Sequence, residues 1–268
     1  MKLFLTVVAV AAVWGGCVAA VVAISDDGDA SVAVTVGADA AAPAVEPAHQ
    51  PEVEAEVDTE PTDPPKVPGP TYPIAKVEEG KQVTLYDRPR GAPIERVGDT
   101  TEFGSERNFW IQRSRGAWFG VPAPELPNGA LAWIRYDPER LAIYETSYYI
   151  VADISKRQLE LRFGRRTLER FAVTVGAPGS PTPPGTYAVT DGLVGRGLGP
   201  YYGCCVLALT GHQPNLPSDW LGGDRIAVHG TPGAVGLAAS AGCLRATDKD
   251  MVSLFARVPL GAPVFIRS

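Results

Sequence analysis

Histidine and cysteine are scarce in this sequence, with three and four residues respectively among 268. It contains no run of lysine and arginine of the kind that indicates nucleic-acid binding. It also has no cluster of His, Cys, Asp and Glu with the spacing of a metal site. We therefore expect no nucleic acid, metal or cofactor as a partner. The few His and Cys residues are the candidates for a catalytic role.

Charge is missing from the 22 residues between Leu3 and Ile24. About 20 apolar residues span a bilayer as a helix, whereas the apolar region of a cleavable signal peptide has about 7–15. With Lys2 favouring an inside N-terminus, we expect residues 1–24 to be a signal anchor in the cell membrane. Cleavage near Ala19-Ala20 or Ala23, or lipidation at Cys17, remains an alternative. Each interpretation places the rest of the chain outside the cytoplasm, at the membrane or secreted to the wall or periplasm.

Basic and aromatic residues are scarce in residues 25–75, where Lys66 is the one lysine or arginine and Tyr72 the one aromatic residue. The same segment contains eleven acidic residues. The segment is also rich in alanine and proline. Such a composition buries too little apolar surface to offset its ordering entropy, so it predicts a disordered acidic linker; a partner-binding tail is the alternative. The remaining residues, 76–268, carry 19 acidic and 22 basic residues. The linker therefore accounts for the overall charge of −6.

Short aromatic runs separated by Gly, Pro and Asn turns fill residues 76–140, which predicts a small β module. The runs are Val83–Tyr86, Phe109–Ile111, Ala117–Val121 and Leu131–Ile134. The pattern resembles bacterial SH3-like domains and therefore implies a small β-barrel. It leaves two roles open, which are binding of peptide or wall polymer and packing against the next domain.

Residues 146–268 are predicted to be mainly β with little helix. Tyr148–Ile154, Thr167–Val175 and Val264–Ile266 are β-rich runs. Thr247 is placed to cap a helix, and apolar residues follow at helical spacing, namely Met251, Leu254, Phe255 and Val258. That stripe indicates core packing.

His229 precedes Cys243 by 14 positions, and Gly242 stands beside the cysteine. A thiol needs a base to become a nucleophile, and a nearby helix N-terminus lowers its pKa. Because Cys243 is followed by a capped helix, we expect it to be alkylated well below the free-thiol pKa of about 8.5. The backbone N–H groups of Gly242 and Cys243 are candidates to bind a developing oxyanion.

These residues resemble the active-site signature of the L,D-transpeptidases, whose catalytic domain is of the YkuD type. The match consists of His229-Gly230-Thr231 and then Ser240-x-Gly242-Cys243-Leu244-Arg245. Thr182–Tyr187, Val151–Leu161 and Gly261–Val264 resemble further segments of the same domain. The resemblance implies a YkuD-type β-sandwich or barrel-like fold with few helices over residues 146–268.

The resemblance also implies a mechanism, in which His229 deprotonates Cys243 and the thiolate forms a thioester with a peptidoglycan stem tetrapeptide. A diamino-acid amine then resolves the thioester into a 3→3 crosslink, with carbapenem-type β-lactams as inhibitors. Resolution by water would make an L,D-carboxypeptidase, and resolution by a protein lysine would tether a protein to the wall. Arg245 would hold a substrate carboxylate or brace the cysteine loop, Ser240 would bond within that loop or contact substrate, and Gly230 and Thr231 would border the pocket.

Two features depart from a simple assignment. Ala241 stands where many members of the family have a second histidine, and His212 lies in a loop-like stretch with little indication of catalysis. A non-catalytic wall-binding protein with a degenerate site is the alternative from another functional class. Cys204 and Cys205 are expected to be buried thiols, because adjacent Cα atoms lie about 3.8 Å apart, below the usual disulfide range of about 4.4–6.8 Å.

Overall fold

The structure is a computed structural model that describes residues 69–218 and 220–268. The predicted anchor over residues 1–24 and nearly all of the predicted linker over residues 25–75 lie outside the described residues. Within the described part of the chain, no helix is both long and apolar enough to cross a membrane. The described chain is mainly β, as predicted, with a single α-helix among these residues.

The N-terminal module, residues 72–146, consists of two small antiparallel sheets. Their orders are β3-β2-β7-β6-β5 and β4-β1-β8. Alternating burial in β2 and the buried runs in β4 and β7 place apolar side chains in a core between the sheets. The strands are β1 (Tyr72–Val77), β2 (Gln82–Tyr86), β3 (Pro93–Gly98), β4 (Asn108–Trp110), β5 (Arg113–Arg115), β6 (Trp118–Val121), β7 (Ala132–Arg135) and β8 (Leu141–Thr146).

The predicted bounds of this module, 76–140, leave out most of β1 and all of β8. These two strands pair with each other from Tyr72↔Thr146 to Val77↔Leu141. Residues 72–75 were assigned to the linker because its acidic, proline-rich composition was extended too far. Ile74 and Ala75 are fully buried, which gives this stretch the apolar surface that the linker lacks. The SH3-like assignment of the module stays a prediction.

The C-terminal module, residues 147–268, is built on an eight-stranded sheet of order β11-β10-β9-β18-β13-β14-β15-β17. Helix α1 (Asp248–Arg257) packs on β14, β15 and β17, and a small parallel pair, β12-β16, lies apart from the large sheet. The strands are β9 (Tyr148–Asp153), β10 (Gln158–Phe163), β11 (Arg166–Ala172), β12 (Val175–Gly176), β13 (Gly185–Val194), β14 (Cys205–His212), β15 (Arg225–Thr231), β16 (Ala238–Ser240), β17 (Leu244–Thr247) and β18 (Pro263–Arg267).

Helix α1 begins as predicted, because the Thr247 side chain accepts a hydrogen bond from the Asp250 backbone N–H at 3.2 Å. Met251 and Leu254 are fully buried in the core of the module. Phe255, which was assigned to the same stripe, is 36% exposed. The helix therefore covers the sheet beside β15 and β17 through one narrow face.

The two modules contact each other through an aromatic cluster. Phe265 of β18 lies between Tyr72 and Trp110 of the N-terminal module and Tyr149 of the C-terminal module, with ring centroids 5.7–6.1 Å apart. The pairs of Phe265 with Trp110 and with Tyr149 are edge-on, and such pairs add about 0.5–1.5 kcal/mol beyond the area they bury. Tyr144 of β8 also donates a hydrogen bond to the Leu260 carbonyl at 3.1 Å. The N-terminal module therefore packs directly on the C-terminal one.

Candidate active site

His229 and Cys243 meet through the parallel pairing of two short strands. β15 and β17 pair in parallel with His229 opposite Arg245. Cys243 lies two residues before Arg245, just ahead of β17. Because side chains alternate between faces along a strand, the side chains of His229, Cys243 and Arg245 lie on the same face of the sheet.

These three residues border a cavity of about 240 Å³, which we call the active-site cavity. Most of its other lining residues are apolar or aromatic, namely Tyr201, Tyr202, Leu216, Trp220, Ile226 and Ala241. Gln213, Gly223, Asp224 and Arg225 complete the lining. Tyr201 is 75% exposed and Trp220 is 39% exposed, so the rim offers aromatic surface to a ligand. The sequence singled out the three site residues but none of the aromatic ones.

The ring orientation of His229 is set by its neighbour in the chain. Nδ1 lies 2.7 Å from the Gly230 carbonyl oxygen, and a carbonyl only accepts hydrogen bonds, so Nδ1 carries the proton. Burial lowers the pKa of His229 to about 4, although the hydrogen bond to Gly230 raises it; the charge of Arg245 lowers it further. At neutral pH the imidazole is therefore neutral, and Nε2 holds a lone pair that can accept a proton.

Cys243 differs from the expected low-pKa thiol. Burial raises the pKa of Cys243. A backbone hydrogen bond from Ala227 and the charge of Arg245 lower this pKa, but they offset only part of the rise. The helix does not help, because the four residues of β17 separate Cys243 from the start of α1. The direction of this pKa shift opposes the predicted alkylation well below pH 8.5 and favours a neutral thiol together with a neutral imidazole in the resting site.

Tyr202 covers one side of His229, with ring centroids 5.0 Å apart. It belongs to a short 3₁₀ turn, Pro200–Tyr202, that precedes β14. Burial raises the pKa of Tyr202, as does the negative charge of a Cys243 thiolate. The contact shields His229 from water and thus favours its neutral form. Sequence reasoning missed it because nothing local connects residue 202 with residue 229.

The turn before Cys243 is closed by Ser240. Ser240 Oγ donates to the Cys243 carbonyl at 2.6 Å and accepts from the Gly242 N–H at 3.1 Å. Ser240 was expected either to form hydrogen bonds within the cysteine loop or to contact substrate, and the structure shows the hydrogen bonds within the loop. The Gly242 N–H is therefore engaged by Ser240, which corrects its assignment as an oxyanion donor and leaves the Cys243 N–H as the candidate.

A close contact with Gln213 requires glycine at position 242. Its φ is +115°, and a side chain there would collide with the amide of Gln213. The buried Gln213 amide donates to the Pro181 carbonyl at 2.9 Å, so it joins the Thr182-Pro-Pro-Gly loop to the cysteine turn. Gln213 was not recognised from the sequence, because its partners lie some 30 residues away on each side.

Arg245 is half-buried at the cavity wall, and its backbone is held by two hydrogen bonds with Thr174 at 2.8 and 2.9 Å. Its Nε is buried and has no partner among the described residues. Thr231 Oγ1 accepts from the Gly233 N–H at 3.1 Å, and neither Gly230 nor Thr231 lines the cavity. A side chain at Gly230 would collide with Asp248.

Cys204 and Cys205 form a disulfide, whereas free thiols were expected. Their Cα atoms are 3.8 Å apart, so the argument from the usual Cα separation does not hold for these neighbours. Cys204 lies in a turn just before β14, with its N–H bound to Asp248 Oδ1 at 2.9 Å, and this turn brings the two sulfurs together. Cys243 is the free cysteine of the described chain.

His212 lies away from the cysteine, at the end of β14. Its Nε2 is 2.7 Å from the Pro124 carbonyl oxygen of the N-terminal module, and its Nδ1 is 3.0 Å from Asp224. It does not line the active-site cavity. In residues 69–218 and 220–268, no three His, Cys, Asp or Glu side chains are grouped in a way that would hold a metal ion.

The C-terminal module is similar to known proteins. Residues 147–266 match the model of the YkuD family, the L,D-transpeptidase catalytic domain. The putative L,D-transpeptidase YkuD of Bacillus subtilis (strain 168) is 29% identical over 125 residues, which cover 46% of this chain and 68% of that protein.

Solved structures are also similar at low identity. An L,D-transpeptidase from Mycobacterium smegmatis is 18% identical with a TM-score of 0.38, covering 59% of this chain and 80% of that one. A mutant L,D-transpeptidase from Enterococcus faecium is 18% identical with a TM-score of 0.35, covering 45% of this chain. This chain spans about half the length of that protein, at 49%.

Proposed function

We propose that residues 147–266, which match the L,D-transpeptidase catalytic domain model, form such a domain, with Cys243 as its nucleophile and His229 as its general base. The observation that supports these roles is the placement of both side chains on one face of the β15–β17 pair, in a single cavity. The substrate we propose is a peptidoglycan stem tetrapeptide. Its third, diamino-acid residue would supply the carbonyl that is attacked.

Acylation begins from the neutral pair. Nε2 of His229 takes the thiol proton as the sulfur attacks the carbonyl carbon of the L,D amide. The developing oxyanion is stabilised by the Cys243 N–H and by the positive charge of Arg245. The C–N bond then breaks, His229 gives the proton to the departing D-alanine amine, and a thioester remains on Cys243.

Deacylation decides the product. In a transpeptidase, the neutral side-chain amine of a second stem attacks the thioester carbonyl and gives its proton to His229. The Cys243 thiolate leaves and takes that proton back, which yields a 3→3 crosslink. Attack by water in place of the amine would make the enzyme an L,D-carboxypeptidase, and attack by a protein lysine would tether a protein to the wall.

The aromatic rim favours acyl transfer to an amine over hydrolysis. Tyr201, Tyr202 and Trp220 line the cavity and offer apolar surface to a second peptide. A site that excludes water protects a reactive thioester until the acceptor arrives. Carbapenem-type β-lactams are expected to acylate Cys243 by the same attack on a strained carbonyl.

We also propose that the enzyme works outside the cytoplasm, at the membrane or in the wall, where its polymer substrate lies. The disulfide between Cys204 and Cys205 supports this location, because disulfides persist in oxidising compartments and are rare in reducing ones. Fractionation of cells producing the chain tests it. Recovery of the chain with the cytoplasmic fraction would contradict it.

The test of function is mass spectrometry of the full chain incubated with purified disaccharide-tetrapeptide, beside Cys243→Ala. We expect D-alanine release, a thioester adduct on Cys243 and a 3→3 dimer, all absent from the variant. Tripeptide without dimer would indicate the carboxypeptidase. Absence of any adduct, with a carbapenem also failing to label Cys243, would support the non-catalytic wall-binding alternative.

A further inference from the structure

A second cavity, of about 480 Å³, lies between the two modules, and we call it the intermodule cavity. The N-terminal module contributes the second half of β3 and the loop between β3 and β4, together with Pro124 and Glu125. The C-terminal module contributes Thr190, Asp191, His212, Asp224 and Arg225. Asp224 and Arg225 also line the active-site cavity, so the two cavities adjoin at these residues.

The walls of the intermodule cavity are held by direct contacts between the modules. Thr101 of the N-terminal module donates a hydrogen bond to Asp191 Oδ1. Arg225 donates to Glu102 at 2.6 Å. Asn128 exchanges two hydrogen bonds with the His212 backbone, at 2.7 and 2.8 Å. The walls of the cavity are therefore formed and held in place by residues of both modules.

Carboxylates outnumber guanidinium groups around this cavity. Five line it against three, namely Glu95, Glu102, Glu125, Asp191 and Asp224 against Arg96, Arg107 and Arg225. Burial lowers the pKa of Arg225, whereas the negative charges of four of these carboxylates raise it. Arg225 is paired with Glu102 and Arg107 with Glu125, so neither arginine is a hydrogen-bond partner of the buried Asp191.

Two of the carboxylates keep an oxygen that is buried and has no partner among the described residues, Asp191 Oδ2 and Glu125 Oε2. Asp191 is fully buried on β13, and its other oxygen accepts only from Thr101. Glu125 binds Arg107 at 2.9 Å through Oε1 alone. Buried carboxylate oxygens nearly always accept hydrogen bonds, so these two oxygens leave acceptor capacity that a donor entering the cavity would use. A protonated primary amine offers three N–H donors and the complementary charge.

We propose that the intermodule cavity is a subsite for the protonated side-chain amine of the donor stem's diamino-acid residue. This inference rests on the proposed function, since the carbonyl of that residue would react at Cys243 in the adjoining cavity. The amine keeps its protons and takes no part in bond formation during acylation. Its role is to position the donor, and the N-terminal module thereby becomes part of the substrate site.

The test measures binding without catalysis, using the full chain with Cys243→Ala. Two tetrapeptides are compared by calorimetry, one with the free side-chain amine and one with that amine acetylated. We expect the free amine to bind roughly tenfold more tightly, the value of one charge-assisted hydrogen bond of about 1.4 kcal/mol. Adding Asp191→Asn, or separately Glu125→Gln, should remove most of this preference. Glu139→Gln, an exposed carboxylate that lines neither cavity, is the matched control and should keep it.

Equal binding of the two peptides to the Cys243→Ala chain would overturn the inference. So would a preference that survives both Asp191→Asn and Glu125→Gln in chains that melt like the parent. A third arm uses a tripeptide that can act only as acceptor; amine dependence confined to that peptide would also overturn the assignment to the donor. Carbapenem labelling of Cys243 in the parent chain separates the two proposals, because its failure counts against the catalytic site while the amine preference is measured independently in the Cys243→Ala chain.

Discussion

The two adjoining cavities differ in the charge state of the side chains that line them. The active-site cavity holds His229 and Cys243 among aromatic and aliphatic side chains, and burial there favours the uncharged form of both. The intermodule cavity instead holds charged groups in pairs, such as Arg107 with Glu125 and Arg225 with Glu102. In the active-site cavity, desolvation keeps the titratable groups uncharged. In the intermodule cavity, ion pairing keeps the groups charged, because a buried charge is tolerated only with a partner.

This difference bears on the chemistry each cavity can support. A neutral thiol and a neutral imidazole do not bind an ion tightly, but they can exchange a proton when a carbonyl arrives. A set of paired charges moves no proton easily, but it can recognise a charged group of a substrate. We therefore assign bond formation to the first cavity and recognition to the second.

The largest expected effect is the loss of the reacting pair. Cys243→Ala should abolish acyl-enzyme formation, and His229→Ala should slow it by about 1000-fold or more, because a protonated thiol without a base is a poor nucleophile. His49→Gln is the histidine control and should acylate at the parental rate. The measurement is the single-turnover rate of carbapenem adduct formation by intact-mass spectrometry. A His229→Ala rate within tenfold of the parent would show that another group serves as the base.

The next effect concerns stability at the intermodule cavity. Arg107→Met should lower the free energy of unfolding by about 4 kcal/mol, since it leaves Glu125 charged, unpaired and largely buried. Arg88→Met removes an exposed partner of Asp87 and should change stability by less than about 1 kcal/mol. Urea denaturation of both variants tests the contrast. Equal losses would mean that the intermodule pair is no more desolvated than a surface pair.

The pKa of His229 predicts a pH dependence of stability. The pKa is about 4 in the folded chain against 6.5 for the free side chain, so the unfolded state binds more protons between these values. The contribution is fully present above pH 6.5 and is lost as pH falls toward 4, by about 3 kcal/mol. Denaturant midpoints from pH 7 to pH 4 should fall more steeply in the parent than in His229→Gln. Parallel curves would contradict a buried neutral histidine.

The smallest effect is expected in the turn before the cysteine. Gly242→Ala should slow acylation by about tenfold or more, because φ of +115° is strained for alanine and the new methyl collides with Gln213. Gly233→Ala has ordinary space around it and is the matched control. Carbapenem adduct rates measure both. If the two variants behave alike, the close approach of Gln213 to Gly242 does not position Cys243.

The sequence alone was enough to select His229 and Cys243 as candidate reacting residues, because scarce residue types stand in a specific local pattern. His229-Gly230-Thr231 and Gly242-Cys243-Leu244-Arg245 are contiguous motifs, and the strand before His229 is evident from the apolar run Ile226-Ala227-Val228. Tyr202 and Gln213 could not be predicted, because their roles arise from contacts between distant segments. The short strand β17 was missed for the same reason. Four residues become a strand only when β15 lies alongside, and this strand is what keeps Cys243 away from the helix N-terminus.

The central claim is that a neutral His229 stands beside a protonated Cys243, and nitrogen-15 NMR of the full chain tests it most directly. Signals lost in His229→Gln identify the ring. At pH 7 we expect the neutral tautomer with its proton on Nδ1, unchanged in Cys243→Ser, and protonation only as the pH approaches 4. An imidazolium at pH 7 that becomes neutral in Cys243→Ser would contradict the account, because it would show a preformed thiolate–imidazolium pair.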